Sequence, residues 1–330
     1  MSGAKEVTVS TAEEVDADAR RERLVAYGLL AFTMVVWGGS FVAARALLAP
    51  ADPAQTSLSP SVLAALRFGI AGALFIPPLL ARWVSQRHTG KNPLRLSFGD
   101  VWRLVVLGQI SIALYFWLQY MGVQLTNAGV AAILVVGLIP IMTVLAARSR
   151  LGEPFRMIHI AGLALGLTGV VVVTLQRESG LEFTISRDFA LGAVFLVSNA
   201  VLFALYSTLA RGLRERFDPL TLTAGMTVFG ALGLVAVATV LGGWSDVASL
   251  TAGQWTWVIY LALICSVLAY FCYNRALRVI EAGRAATWVY IEPPVAIIFG
   301  ALLLGEAIGI AGIAGGLIIA LAVWIVSRGK

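Results

Sequence analysis

Two ionisable side chains stand inside stretches otherwise apolar enough to cross a bilayer. Glu292 lies in RAATWVYIEPPVAIIFGALLLGE, residues 284–306, and is followed at once by Pro293 and Pro294; Arg67 lies in PSVLAALRFGIAG, which begins at Pro60. An ionisable group at such depth costs about 2.5–3.5 kcal/mol on insertion scales and by default marks a path for ions, protons or solutes. A structural acid, protonated or paired beside a packing kink, is the competing reading for Glu292. Arg67 also has two readings: a pair or shared water network with Glu292, or a head group that snorkels outward.

Hydrogen-bonding groups recur at helical spacing near these two ions. Ser111, Tyr115 and Gln119 fall on one helix face, and Ser266, Tyr270, Tyr273 and Asn274 form a comparable stripe. Asn199 with Tyr206, Trp37 with Ser40, and Trp288 one turn before Glu292 complete the candidate cavity. A polar solute leaving water needs such partners, and aromatic walls with few polar groups suit an amino acid or an aromatic cation. Taken singly, each of these polar residues also serves as glue between membrane helices.

The elements that must hold these groups are long apolar helices. If residues 283–304 form one helix, it is about 33 Å long and carries Glu292 near midplane. Pro293 and Pro294 have no N–H, so the carbonyls of Val289 and Tyr290 are expected to lose their helical donors. Pro140, Pro293 and Pro294 are therefore the expected breaks or hinges.

The composition agrees with a membrane protein. The 330 residues are 59% hydrophobic and 13% charged, with mean hydropathy +0.88; a soluble chain is nearer ~45–50% and ~25%. Cys265 and Cys272 share one apolar segment, which offers no disulfide framework, and His88 and His159 lie far apart. Neither a metal nor a cofactor is expected: HExxH, CxxC and a phosphate-binding GxxxxGK[ST] are all missing from the sequence.

Ten apolar segments are expected near 24–47, 61–83, 102–123, 127–147, 157–175, 189–210, 219–241, 255–277, 283–304 and 308–327. Residues 1–23 read as a disordered cytoplasmic tail that mixes both signs of charge. With that tail inside, of the 24 Lys and Arg only Arg45, Arg177 and Arg187 fall outside, and Arg67 within a segment. This bias places both termini in the cytoplasm and accounts for the net charge of +6 without a nucleic-acid partner.

The chain also repeats. IPIMTVLAARSRLGE around Pro140 and EPPVAIIFGALLLGE around Pro293 carry proline and Gly-Glu in step, ARALL (44–48) resembles ARGLR (210–214), and Pro60-SVLAALRFGIAGAL parallels Pro219-LTLTAGMTVFGALG. Five segments per half is an odd number, so the halves enter the membrane in opposite directions. The expected fold is thus all-α, with ten transmembrane helices in two inverted five-helix repeats around a central cavity. Its parts are a tail (1–23), a first repeat (24–176), an extracytoplasmic linker (177–188) and a second repeat (189–330).

VVWGGSFVAARALL, the YFWLQYMGVQLTNAGVAAIL run and YFCYNRALRVIEAGRAATWVYIEPPVAIIFGALLLGE together resemble the ten-helix EamA type of the drug/metabolite transporter superfamily over about residues 26–327. The resemblance implies a monomeric core, which leaves a dimer open, and a cavity lined by helices one to four and six to nine. It implies alternating access and export of amino acids or related metabolites, in some members drugs, across a bacterial inner membrane. Two departures make the halves unequal: Met226 replaces Arg67, and Phe203 stands near the position matching Trp37.

Three rival functions stay open at this level: a multidrug or lipophilic-compound exporter, a membrane-embedded lipid-modifying enzyme, and a channel. The enzyme would want clustered Asp or His with a metal, and the channel rings of like charge. Gly38, Gly39, Gly69 and Gly72 are expected to let helices approach closely; Glu153 and Glu306 read first as solvated loop residues, with helix caps or gate latches as the alternative.

Overall fold

Apolar runs punctuated by proline, glycine and capping residues fold into helices, and among the described residues there is no strand. The computed structural model describes residues 3–48, 50, 52–88, 97–125, 128–152, 157–177, 187–304 and 310–328. The first set of helical rods is α1 (Gly3–Leu48), α2 (Pro60–His88), α3 (Phe98–Gly108, Gln109–Leu114 and Tyr115–Leu125), α4 (Ala128–Leu151) and α5 (Met157–Arg177). The second set is α6 (Arg187–Arg216), α7 (Pro219–Leu241), α8 (Ala252–Ile259, Tyr260–Leu268 and Ala269–Ala276), α9 (Ala282–Ala286, Thr287–Ile291 and Glu292–Leu304) and α10 (Ile310–Arg328).

Helix starts follow local chemistry. Ser97 accepts the Asp100 N–H while the Asp100 carboxylate accepts the Ser97 N–H, a reciprocal cap that opens α3. Thr251 and Gln254 do the same for α8. Asp218 caps α7, with Pro219 in the first turn where its missing N–H costs nothing. Gly242 and Gly243, at φ +81 and +96, end α7 in a conformation that side chains resist.

Two expectations concern the ends and the number of spans. The segment read as a disordered tail is helical from Gly3 onward; it holds no proline or glycine between residues 4 and 27 to stop the helix. Of the ten expected spans, eight among the described residues are helices long and apolar enough to cross a bilayer. In α5 and α10 the described apolar stretches, Ile160–Gly169 and Ile313–Ala322, are shorter. Glu153, Glu306 and most of the linker lie outside the described residues.

Helix pairing has a regular pattern. α2 packs on α7 and α5 on α10, while α1 packs on α8 and α9 and α6 on α3 and α4. Exchanging each helix for the one five places away leaves this set of pairs unchanged.

Lipid tails are as apolar as leucine, so such pairs are held by close fit rather than by exclusion of water. Glycine supplies the fit at several points, Gly38 and Gly39 of α1 among them. A Cβ on Gly230 of α7 would lie 2.6 Å from the Ile112 Cβ of α3. One on Gly38 of α1 would lie 2.8 Å from the Val295 Cβ and 2.9 Å from the Glu292 carbonyl of α9. Gly69 and Gly72 have only ordinary contacts. Apolar side chains such as Leu302 and Val240, 74% and 85% exposed, are turned outward, as a lipid-facing surface requires.

Candidate functional site

Both intramembrane ions point inward. Arg67 and Glu292 are 3% and 6% exposed, which excludes the snorkelling geometry for Arg67. They line one cavity with Trp37, Ser40, Tyr115, Gln119 and Tyr270 from the expected set, and with Phe116, Tyr120, Phe203, Val136, Ile139 and Val289 among others. Its volume is about 50 Å³, room for roughly four waters. At that volume the cavity is too small for a metabolite.

Arg67 is held from two helices of different halves. Its Nε donates to Ser266 Oγ on α8 at 2.7 Å and its Nη1 to the Tyr120 hydroxyl on α3 at 3.4 Å. The guanidinium also lies 4.6 Å from the Phe116 ring and 5.0 Å from the Phe68 ring, a cation–π cradle that offsets part of its desolvation. Ser266 in turn donates to the Leu261 carbonyl at 2.9 Å. That carbonyl lies inside the π-helical stretch Tyr260–Leu268, where wider winding leaves acceptors open to side chains.

A serine also lies in a π-helical stretch of α3. Ser111 sits within the π-helical stretch Gln109–Leu114 and donates to the Leu107 carbonyl at 2.7 Å. In both halves a serine in the wide turn is followed four residues later by a cavity tyrosine, Tyr115 or Tyr270. The repeat brings further matched positions to the cavity: Val136 with Val289, Ile139 with Glu292, and Trp37 with Phe203. The cavity therefore sits where the two halves meet, and its charges come from the positions at which they differ.

Glu292 is placed by a change of winding. The stretch Thr287–Ile291 is 3-10 helix and α-helix resumes at Glu292. The Glu292 N–H donates to the Val289 carbonyl, so one of the two acceptors expected to be freed by the prolines regains a donor through the tighter turn. Pro140, at the matching place in α4, lies inside an unbroken helix. It removes a single hydrogen bond, which the helix absorbs without changing type, so the expected break is confined to α9.

Among the described residues, the Glu292 carboxylate, the Gln119 amide and the Tyr115 and Tyr270 hydroxyls have no hydrogen-bond or ion-pair partner in the protein. Arg67 and Glu292 make no ion pair with each other. A carboxylate, an amide and two phenols thus converge, unpaired, on a space edged by one arginine. All four line the same cavity as Arg67.

Five expected residues take other places. Asn199 donates to the Tyr115 carbonyl at 2.8 Å and ties α6 to α3. The Tyr206 hydroxyl donates to Asn274 Oδ1 at 3.0 Å, and the Asn274 amide donates to Thr223 Oγ1 at 3.1 Å. Tyr273 stacks on Tyr206 with ring centres 6.1 Å apart, and Trp288 stacks on Tyr27 at 5.6 Å. None of the five lines the cavity. They are interhelical glue, because helical spacing alone does not say which of two flanking helices a side chain meets. Tyr120 was missed; it stands one turn from Phe116 in YFWLQY.

The fold and site define a helical membrane protein with a polar cavity between two related halves. The model of the EamA-like transporter family matches residues 24–175 and again residues 190–328, and the chain belongs to that family. It is 28% identical over 279 residues to an uncharacterized transporter of Archaeoglobus fulgidus, covering 84% of this chain and 89% of the relative. It is 27% identical over 324 residues to the uncharacterized inner membrane transporter YedA of Escherichia coli K12, covering 94% and 93%. A solved crystal structure superposes with a TM-score of 0.74 at 21% identity, covering 93% of this chain and 96% of that one, which supports the fold. Family and relatives point to a transporter rather than an enzyme.

Proposed function

We propose that the protein is a secondary transporter that exports small organic solutes carrying both charges, amino acids foremost, through this cavity by alternating access. The carrying observation is the pair of unlike charges, Arg67 and Glu292, facing one space without neutralising each other. Arg67 would take the carboxylate of such a solute and Glu292 its ammonium, with Gln119, Tyr115 and Tyr270 supplying the remaining hydrogen bonds. The small volume of the cavity requires the halves to part before a solute enters.

The exchange symmetry of the helix pairs, the two matches to one family model and the five helices in each half support an inverted repeat that rocks about the cavity. The distribution of Lys and Arg supports cytoplasmic termini in a bacterial inner membrane. The aromatic lining from Trp37, Phe116 and Phe203 favours a second reading, export of lipophilic cations.

Proteoliposomes loaded with a mixed pool of amino acids, small metabolites and aromatic cations, with efflux read by mass spectrometry, test both. Saturable loss of a few zwitterions supports the first reading. Loss of aromatic cations alone replaces it with the second, and no loss above empty liposomes contradicts both.

A further inference from the structure

The reciprocal caps that open α3 and α8 do more than start helices: each reaches across to the other half of the chain. Asp100, from the cap of α3, accepts from Arg216 Nη2 at the end of α6 at 2.7 Å, with the Asp100 side chain 1% exposed and that of Arg216 51%. Gln254, from the cap of α8, donates to the Thr56 carbonyl between α1 and α2 at 2.7 Å. Thr56 Oγ1 in turn donates to Ser249 Oγ at 3.0 Å.

The two contacts lie at opposite ends of the molecule. Gln254 is near the start of α8, about 32 Å by helical rise from Arg275 near its end. Beyond that end Arg278 donates to the carbonyl of Phe217, the neighbour of Arg216. The caps also occupy matching places in the two halves, each at the start of the helix that carries the π-helical turn. They differ in strength. A buried carboxylate takes a guanidinium at one end, while an amide meets a carbonyl at the other, and charge-assisted bonds are roughly twice as strong as neutral ones.

We propose that Asp100–Arg216 and Gln254–Thr56 are the two gate latches of the transporter, and that the ionic latch holds its end shut more firmly. The inference rests on the alternating-access reading. Both latches are formed here, in keeping with a cavity that admits only water. Opening at either end must break the contact at that end while the other holds, and the stronger latch biases the resting protein to open at the Gln254 end.

The test uses a cysteine reporter in the cavity, Ala44→Cys, in the full chain with Cys265→Ala and Cys272→Ala. Labelling by a membrane-impermeant maleimide is followed from each face in vesicles of both orientations. The unmodified latches should give slow labelling, faster from the Gln254 face. Asp100→Asn should raise labelling from the Asp100 face about tenfold and lower it from the other, and Gln254→Leu should do the reverse. Arg216→Gln leaves the cap of α3 intact and should match Asp100→Asn, which separates loss of the latch from damage to the helix start. Face-specific labelling that no variant changes, or variants that raise it equally from both faces, would overturn the latches alone. Equal and fast labelling from both faces before any latch is altered would overturn alternating access and the latches with it.

Discussion

Arg67 and Glu292 line one cavity from different halves of the chain, yet Arg67 directs its donors to Ser266 and Tyr120 rather than to the acid. A direct pair would neutralise the site. Kept apart, the two side chains both face the cavity, as the proposed site for a solute with both signs requires.

The first prediction follows from that separation. Arg67→Met places in α2 the residue that α7 has at the matching position, Met226. Removing a buried cation whose partners are neutral should leave thermal stability within about 1 kcal/mol, because Ser266 keeps its bond to Leu261. Transport should suffer instead, with KM for carboxylate-bearing solutes rising at least about tenfold, the loss of one charge-assisted contact. Saturation kinetics beside a melting curve check both.

A second prediction concerns the close contact of α1 with the resumed helix of α9. Gly38→Ala would force its methyl against Val295 and the Glu292 carbonyl, neither of which is a flexible tip. The expected cost is about 1–3 kcal/mol, read as a lower melting temperature in detergent. Gly28→Ala, at a position with open space around it, should cost nothing measurable and serves as the comparison.

The wide turn of α8 gives a third. Trp37 Nε1 donates to the Cys265 carbonyl at 3.0 Å, inside the π-helical stretch. Trp37→Phe keeps an aromatic ring against Tyr270 and Tyr273 but removes the donor, so stability should fall by about 0.5–1.5 kcal/mol. Denaturation of the variant and of Trp102→Phe, an exposed tryptophan of α3, distinguishes loss of that bond from loss of bulk.

What could be read from the sequence, and what could not, divides along one physical line. Helix positions were legible because a bilayer imposes one length and one polarity on every span; α7 begins at Pro219 and ends at Leu241, as its apolar run does. The two ions were legible because their cost in lipid is large. Which polar side chains share the cavity was less so: Gln119 and Asn274 sit at matching places in the two stripes, yet one lines the cavity and the other bonds Tyr206 and Thr223. That choice depends on the rotation of each helix about its axis, which neighbouring helices set. The π-helical turns left no mark in spacing alone, and the charges of the tail, which suggest solvation, do not exclude the helix found there.

The central claim, a solute carried at Glu292 by alternating access, is tested most directly by counterflow. Proteoliposomes holding a high concentration of an exported amino acid are given a trace of the same compound, isotopically labelled, outside. The account predicts transient uptake of label above its equilibrium level with the unaltered chain, falling at least about tenfold with Glu292→Gln, the loss of one charge-assisted contact to the solute ammonium. Uptake that never exceeds equilibrium, or that is the same in Glu292→Gln, would contradict it.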